Sequence, residues 1–260
     1  MQLRVINVLY LGQQDYSTAL RLQQTLVQMV KEGRIGQTLL LLEHPPVITL
    51  GRNAAEQNVV ASRELLASKG IELHETDRGG DVTFHGPGQL VGYPIFDLRR
   101  FTPRMGAVDF VRKMEETLIR TCGDLGVITH RIAGMTGVWT DTPAKIAAIG
   151  VHISRGVTSH GFALNVSTDL DYFKLIVPCG IADKPVTSLE HELALCRPPR
   201  KLPTVEEAAE LVSRNFGRVF EAQTLWLESL DSLLAPPQDT PMRAPEELRR
   251  IVGEEDFFLA

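Results

Sequence analysis

An α+β architecture follows from three features of the chain. Strand-like runs cluster as antiparallel hairpins, the helical patterns fall outside those hairpins, and no regular strand–helix–strand alternation links them. Residues 16–31 place Ala19, Leu22, Leu26 and Met29 at helical spacing before Gly33. A strand is expected at Thr38–Leu42. Glu43-His44-Pro45-Pro46 interrupts it before Val47–Leu50, giving two short strands or a strand and a bend, since proline cannot donate to a central ladder. Ser62 and Gly70 bracket a helix over 63–68. Thr102-Pro103 suits the start of a third, with Val111, Met114, Leu118 and Cys122 along one face before Gly123. Strands are expected at Val82–Phe84, Gln89–Phe96, Gly137–Thr140, Lys145–Ser154 and Thr158–Val166, with Gly86-Pro87-Gly88 and Arg155-Gly156 as hairpin turns. Thr204 and Glu207 form a capping box for a final strong helix.

The 260 residues, 43% hydrophobic and 23% charged, suffice for a substantial core. Past residue 222 the pattern thins, and Pro236-Pro237 and Pro241 break it. The expected organisation is one domain over 1–222 and an extension over 223–260, weakly structured or with one short helix from Pro245. A net charge of −5 and a pI near 5.8 argue against nonspecific binding of nucleic acid. No apolar run approaches the roughly 20 residues of a bilayer span, and the first ten residues carry no secretion signal. Cys122, Cys179 and Cys196 make neither an even disulfide framework nor a paired zinc spacing. A soluble protein of the reduced cytoplasm is expected, without membrane or nucleic-acid partners.

Strand alternation puts Lys145 on the apolar face of Ala147, Ile149, Val151 and Ile153. Such an ammonium either snorkels to water or is held desolvated, and desolvation lowers its pKa from about 10.4 and makes it a usable proton acceptor. His160 shares parity with Phe162, Leu164 and Val166, as a satisfied edge histidine or a functional one. The run Arg78-Gly79-Gly80-Asp81-Val82-Thr83-Phe84-His85 leads into Gly86-Pro87-Gly88-Gln89. It reads either as a glycine-rich hairpin or as backbone N–H groups exposed to a ligand between two side-chain donors. It fails as a dinucleotide fingerprint, because the third glycine falls one position late, at Gly92, and a strand follows. Cys179, between Pro178 and Gly180, belongs at a bend, either inert or, beside a base, nucleophilic. Cys122 belongs to an apolar stripe and Cys196 has no comparable setting.

Five blocks together resemble the lipoyl(octanoyl) transferases: Leu42–Val47, Arg78–Gln89 continuing to Tyr93-Pro94, Lys145–Val151, His160–Val166 and Pro178-Cys179-Gly180. They cover roughly residues 35–190 in the family's order. The resemblance implies a biotin/lipoate protein ligase-like α+β domain with mixed, largely antiparallel sheets. It implies transfer of an octanoyl group from octanoyl-acyl carrier protein, through a cysteine thioester, to a lysine of lipoyl domains. Acceptors would be the lipoyl domains of 2-oxoacid dehydrogenases and the glycine cleavage H protein, with no cofactor and no metal. By the same resemblance Cys179 is the nucleophile and Lys145 its proton shuttle. Arg78 to His85 (Arg78, Gly79, Gly80, Asp81, Val82, Thr83, Phe84, His85), Ala148, Ile149, Gly150, His160, Gly161, Phe162 and Ala163 would wall the acyl pocket. Arg99, Arg100, Arg104, Arg112 and Lys113 are candidates for docking an acidic carrier protein, or a solvated helix face.

The chemistry is coherent without a family name. A thiolate exchanging one thioester for another is near neutral in energy, and aminolysis to an amide is downhill without ATP. Alternatives are an ATP-dependent lipoate or biotin protein ligase on the same fold, a non-catalytic module that holds an acylated partner, and a cysteine hydrolase pairing Cys179 with His160.

Overall fold

Strands β1 (Arg4–Gln13) and β2 (Gln37–Glu43) run parallel, joined by helix α1 (Tyr16–Lys31). The Asp15 carboxylate accepts the Thr18 N–H at 2.8 Å and starts that helix. Ala19, Leu26 and Met29 are buried as their spacing predicts, but the fourth position goes to Gln23, and Leu22 is only half-buried. The computed structural model describes residues 4–177 and 184–234.

The prolines after β2 end one sheet and begin another. Strand β3 (Val47–Leu50) lies between β4 (Glu72–Glu75) and β5 (Val82–His85) in a three-stranded sheet, with helix α2 (Arg63–Ser68) packed on it. The chain then returns to the large sheet as β6 (Gln89–Ile95). Gly86-Pro87-Gly88 is therefore no hairpin: β5 and β6 belong to different sheets, and the turn carries the chain between them. By contrast Arg155-Gly156 does form a two-residue hairpin between β9 (Lys145–Ser154) and β10 (Val157–Asn165). Both turn residues have positive φ, +52° and +85°, matching the twist of the paired strands.

Helix α3 (Ala107–Leu125) starts after Gly106 rather than at Thr102-Pro103, because Phe101 and Met105 are drawn into the core and loop the intervening residues outward. It passes through Gly123 and stops at Gly126, whose φ of +86° forms the left-handed cap. Strands β7 (Thr129–Ile132) and β8 (Met135–Thr140) precede β9. Helices α4 (Leu189–Leu195) and α5 (Val205–Phe220), the latter with its complete capping box, follow β10.

The sheet does not end at residue 222. Strand β11 (Ala222–Trp226) pairs with β1, giving the order β11-β1-β2-β6-β10-β9-β8-β7, and α6 (Leu230–Leu234) adds Leu233 to the core. The helix expected from Pro245 lies outside the described residues. One sheet face packs on α3 and α5 through Phe96, Phe110, Phe216 and Phe220, and the other carries α1. No helix among the described residues is long and apolar enough to cross a membrane.

Candidate active site

A cleft of about 480 Å³ lies between strands β6, β9 and β10 on one side and β5 with the loop of residues 76–81 on the other, closed by Tyr16 at the start of α1. A smaller hollow of about 290 Å³ shares Thr83, Ala148 and Ala163 with it and contains Lys145, Gln89 and Asn165. The two make one slot with Lys145 at an end.

Strand pairing builds its floor. Ala148 stands opposite Ala163, and Gly150 opposite Gly161, so the residues facing the cleft are small. A Cβ at Gly150 would collide with the Gly79 carbonyl oxygen, and one at Gly161 with that of Gly92. The Gly79 N–H donates to the Val151 carbonyl at 2.9 Å, which lays the loop across β9. Arg78 is buried under that loop, its guanidinium donating to the Thr49 hydroxyl and carbonyl and to the Gly79 carbonyl. The Asp81 carboxylate fastens the far end, accepting from Asn58 and from the backbone N–H groups of Ala55 and Val82.

Lys145 is 8% exposed, with Nζ 4.7 Å from the centre of the Trp139 ring. It does not share the core face with Ala147. Val138 pairs with Ala147 while the adjacent Trp139 pairs with Lys145, so β9 has a bulge at Ile146. Ile146 and Ala147 both enter the core, and Lys145 is turned into the slot. Its N–H donates to the Pro185 carbonyl, and its carbonyl accepts from Thr187 N–H, so the segment that follows residue 184 is tied to this lysine.

His160 also escapes simple alternation. Its φ of +55° takes the ring away from Phe162 and Leu164 and sets it edge-on to Tyr93 at 6.5 Å. Nε2–H donates to the Asp77 carboxylate at 2.7 Å, and the backbone N–H donates to Gln23 Oε1 at 2.8 Å. Tyr93 is fixed in turn: His44 donates from Nδ1 to the Gln14 carbonyl, so its Nε2 accepts the Tyr93 O–H, both at 2.7 Å. His85 donates from Nδ1 to Gln89 Oε1 at 2.8 Å and stacks on Tyr16. Burial holds these groups neutral. It pushes His44 down to about 4 and His85 to about 3, lowers His160 against the opposing pull of Asp77, and raises Tyr16 to about 12 and Tyr93 well above its usual value.

Of the residues expected in the pocket, Arg78, Gly79, Gly80, Asp81, Thr83, His85, Ala148, Ile149, Gly150, His160, Gly161, Phe162 and Ala163 all line it. Val82 and Phe84 do not. Alternation along β5 turns them to the opposite side, into a core with Ile48, Leu50 and Leu66. Cys179 lies outside the described residues. Cys122 is fully buried, its thiol pushed up to about 12 by burial, and is core. Tyr16, Val91 and Tyr93 line the cleft beyond the residues expected there; Tyr93 stands at the end of the Arg78–Pro94 block, and it shares strand parity with Val91. The expected basic cluster is largely committed to local contacts. Arg99 and Arg100 bind Asp97, Arg112 binds Glu115, and Lys113 donates to the Val219 carbonyl. Among the described residues no group of three or more His, Cys, Asp or Glu could hold a metal ion.

A narrow slot floored by alanine and glycine, with a buried lysine at one end, is suited to a linear apolar group activated at that end. The same architecture occurs in lipoate–protein ligases. A bipartite lipoate protein ligase from Thermoplasma acidophilum superposes with a TM-score of 0.66 at 18% identity, over 89% of this chain and 91% of that one. Lipoate-protein ligase A bound with ATP gives 0.66 at 17% identity, over 90% and 93%. At such identities the likeness concerns the fold. Sequence narrows it: residues 15–217 match the lipoyl protein ligase A/B catalytic domain. An octanoyltransferase of Koribacter versatilis is 64% identical over 98% of this chain and 100% of its own length, and one of Acidobacterium capsulatum 59% over 88% and 96%. The chain belongs to the lipoyl protein ligase A/B catalytic-domain family, among its octanoyltransferases.

Proposed function

We propose that the protein transfers an octanoyl group from octanoyl-acyl carrier protein to a lysine of lipoyl domains in the cytoplasm, with Cys179 as acyl carrier and Lys145 as proton shuttle. The observation that carries this reading is Lys145 itself: buried at the end of a small-residue slot and paired through its backbone with Pro185 and Thr187, a short way along the chain from Cys179.

Lys145 takes the Cys179 thiol proton. The thiolate attacks the donor's thioester carbonyl, and the carrier's sulfur leaves with the proton returned by Lys145. The acceptor lysine's amine then attacks the acyl-enzyme. Its proton passes to Lys145, the C–S bond breaks, and Cys179 recovers a proton. Two sequential replacements at one carbonyl leave an amide and two thiols, with no other reactant. Apolar strand faces contribute about 0.8 kcal/mol per methylene buried.

Intact-mass measurement after mixing with octanoyl-acyl carrier protein tests this. An octanoyl adduct is expected on the wild type and none on Cys179→Ala. Absence of the adduct from both favours a binding module, and product formed from free octanoate only when ATP is supplied favours a ligase. Water discharging the adduct as fast as an amine does would indicate a hydrolase.

A further inference from the structure

The slot has a measurable length. Lys145 stands at the start of β9, and His160 is paired with Val151 on the same strand. The bulge at Ile146 takes up one of the six residues between them, so five steps of about 3.3 Å put the two levels about 17 Å apart. An extended chain of single bonds advances about 1.2 Å per bond, so the seven carbon–carbon bonds of an octanoyl group reach about 8 Å. Allowing for the lysine side chain and the thioester, such a chain ends near the Ala148–Ala163 and Gly150–Gly161 pairs. The next obstacle is the His160 ring standing edge-on to Tyr93.

That obstacle is held from behind on every side. Asp77 grips the ring at Nε2, Gln23 grips the backbone N–H, and the chain Gln14–His44–Tyr93 fixes the neighbouring phenol. The backbone at His160 adopts a left-handed conformation that a non-glycine residue rarely takes, which aims the ring into the slot instead of the core. Above it, the Gly79 N–H bonded to Val151 prevents the chain from passing over the strand.

We propose that His160, positioned by Asp77 and backed by Tyr93, is the stop that sets acyl-chain length in this slot. The proposal rests on the acyl-transfer reading and adds a selectivity to it. The role of His160 is then steric, because its ring stands at the far end of the acyl chain, out of hydrogen-bond reach of the reacting carbonyl.

Two variants test it. His160→Gly removes the ring at a position whose φ suits glycine, so the hairpin is retained. Asp77→Ala alters a largely exposed carboxylate and releases the ring without touching the slot. The readout is the rate of acyl-enzyme formation, by intact mass, from dodecanoyl- and octanoyl-acyl carrier protein. The dodecanoyl-to-octanoyl ratio is expected to rise at least about tenfold in His160→Gly, the smaller end of what a methylene difference is worth in a fitted pocket. A smaller rise is expected in Asp77→Ala. An octanoyl adduct on all three proteins with one common ratio overturns the stop alone. A wild type that takes no adduct from either donor overturns the acyl-transfer reading, and the stop falls with it.

Discussion

On one face of the eight-stranded sheet, α3 and α5 press phenylalanines against strands: Phe216 stacks on Phe220 at 5.2 Å, and Phe96 meets both edge-on. On the other face, over β9 and β10, the side chains shrink to alanine and glycine, and hydrogen-bonded histidines take the place of packed rings. The first face is filled and the second is kept open. Close packing holds a core in one arrangement, whereas an open cleft needs its walls fixed from behind. Here neutral imidazoles joined to carbonyls and a carboxylate serve that purpose.

The largest expected effect that separates the two faces is on rate. Lys145→Ala should lower octanoyl transfer by about 10²- to 10⁴-fold, while carrier binding and the denaturation midpoint change little. Its pH–rate profile should move upward, since an unaided thiol ionises near pH 8.5. An unchanged rate would remove Lys145 from the mechanism. Phe216→Ala should do the reverse, costing about 3–5 kcal/mol in chemical denaturation while the folded protein keeps its chain-length ratio. Gly161→Ala blurs the division: its Cβ meets the Gly92 carbonyl, for about 1–3 kcal/mol of stability and slower adduct formation together.

The last expected effect is a slope. Folding lowers His44 from 6.5 to about 4 and His85 to about 3, so below pH 6.5 the unfolded chain binds protons that the folded one refuses. Stability is full above pH 6.5 and falls as the pH drops toward 4, by on the order of 1 kcal/mol per pH unit for each histidine. Urea denaturation across that range should show the decline, and His44→Gln should flatten it. A wild-type curve flat from pH 7 to 4.5 would mean the wall is not held by neutral imidazoles.

Local grammar made much of this legible. The Ser62 cap, the Thr204–Glu207 box and the Arg155-Gly156 turn each close within a few residues, and each stands where expected. What escaped depended on distant partners. Whether Gly86-Pro87-Gly88 folds a hairpin or crosses between sheets depends on whether β5 pairs with β6 or with β3. At the site, the glycine and alanine blocks converge because strand pairing brings them into register. Parity failed at Lys145, where a bulge intervenes, and at His160, where φ is positive, since neither irregularity leaves a mark in composition. Asp77 and His44 act through other side chains, and sequence alone does not reveal whom they hold.

The pairing of β1 with β11 has a consequence for synthesis. Ala222 leaves the ribosome more than two hundred positions after its partner Arg4. Until then the outer row of amide and carbonyl groups on β1 stays open, beside apolar residues such as Val5. A nascent or prematurely terminated chain ending before Ala222 would present that edge to its neighbours as a template for aggregation.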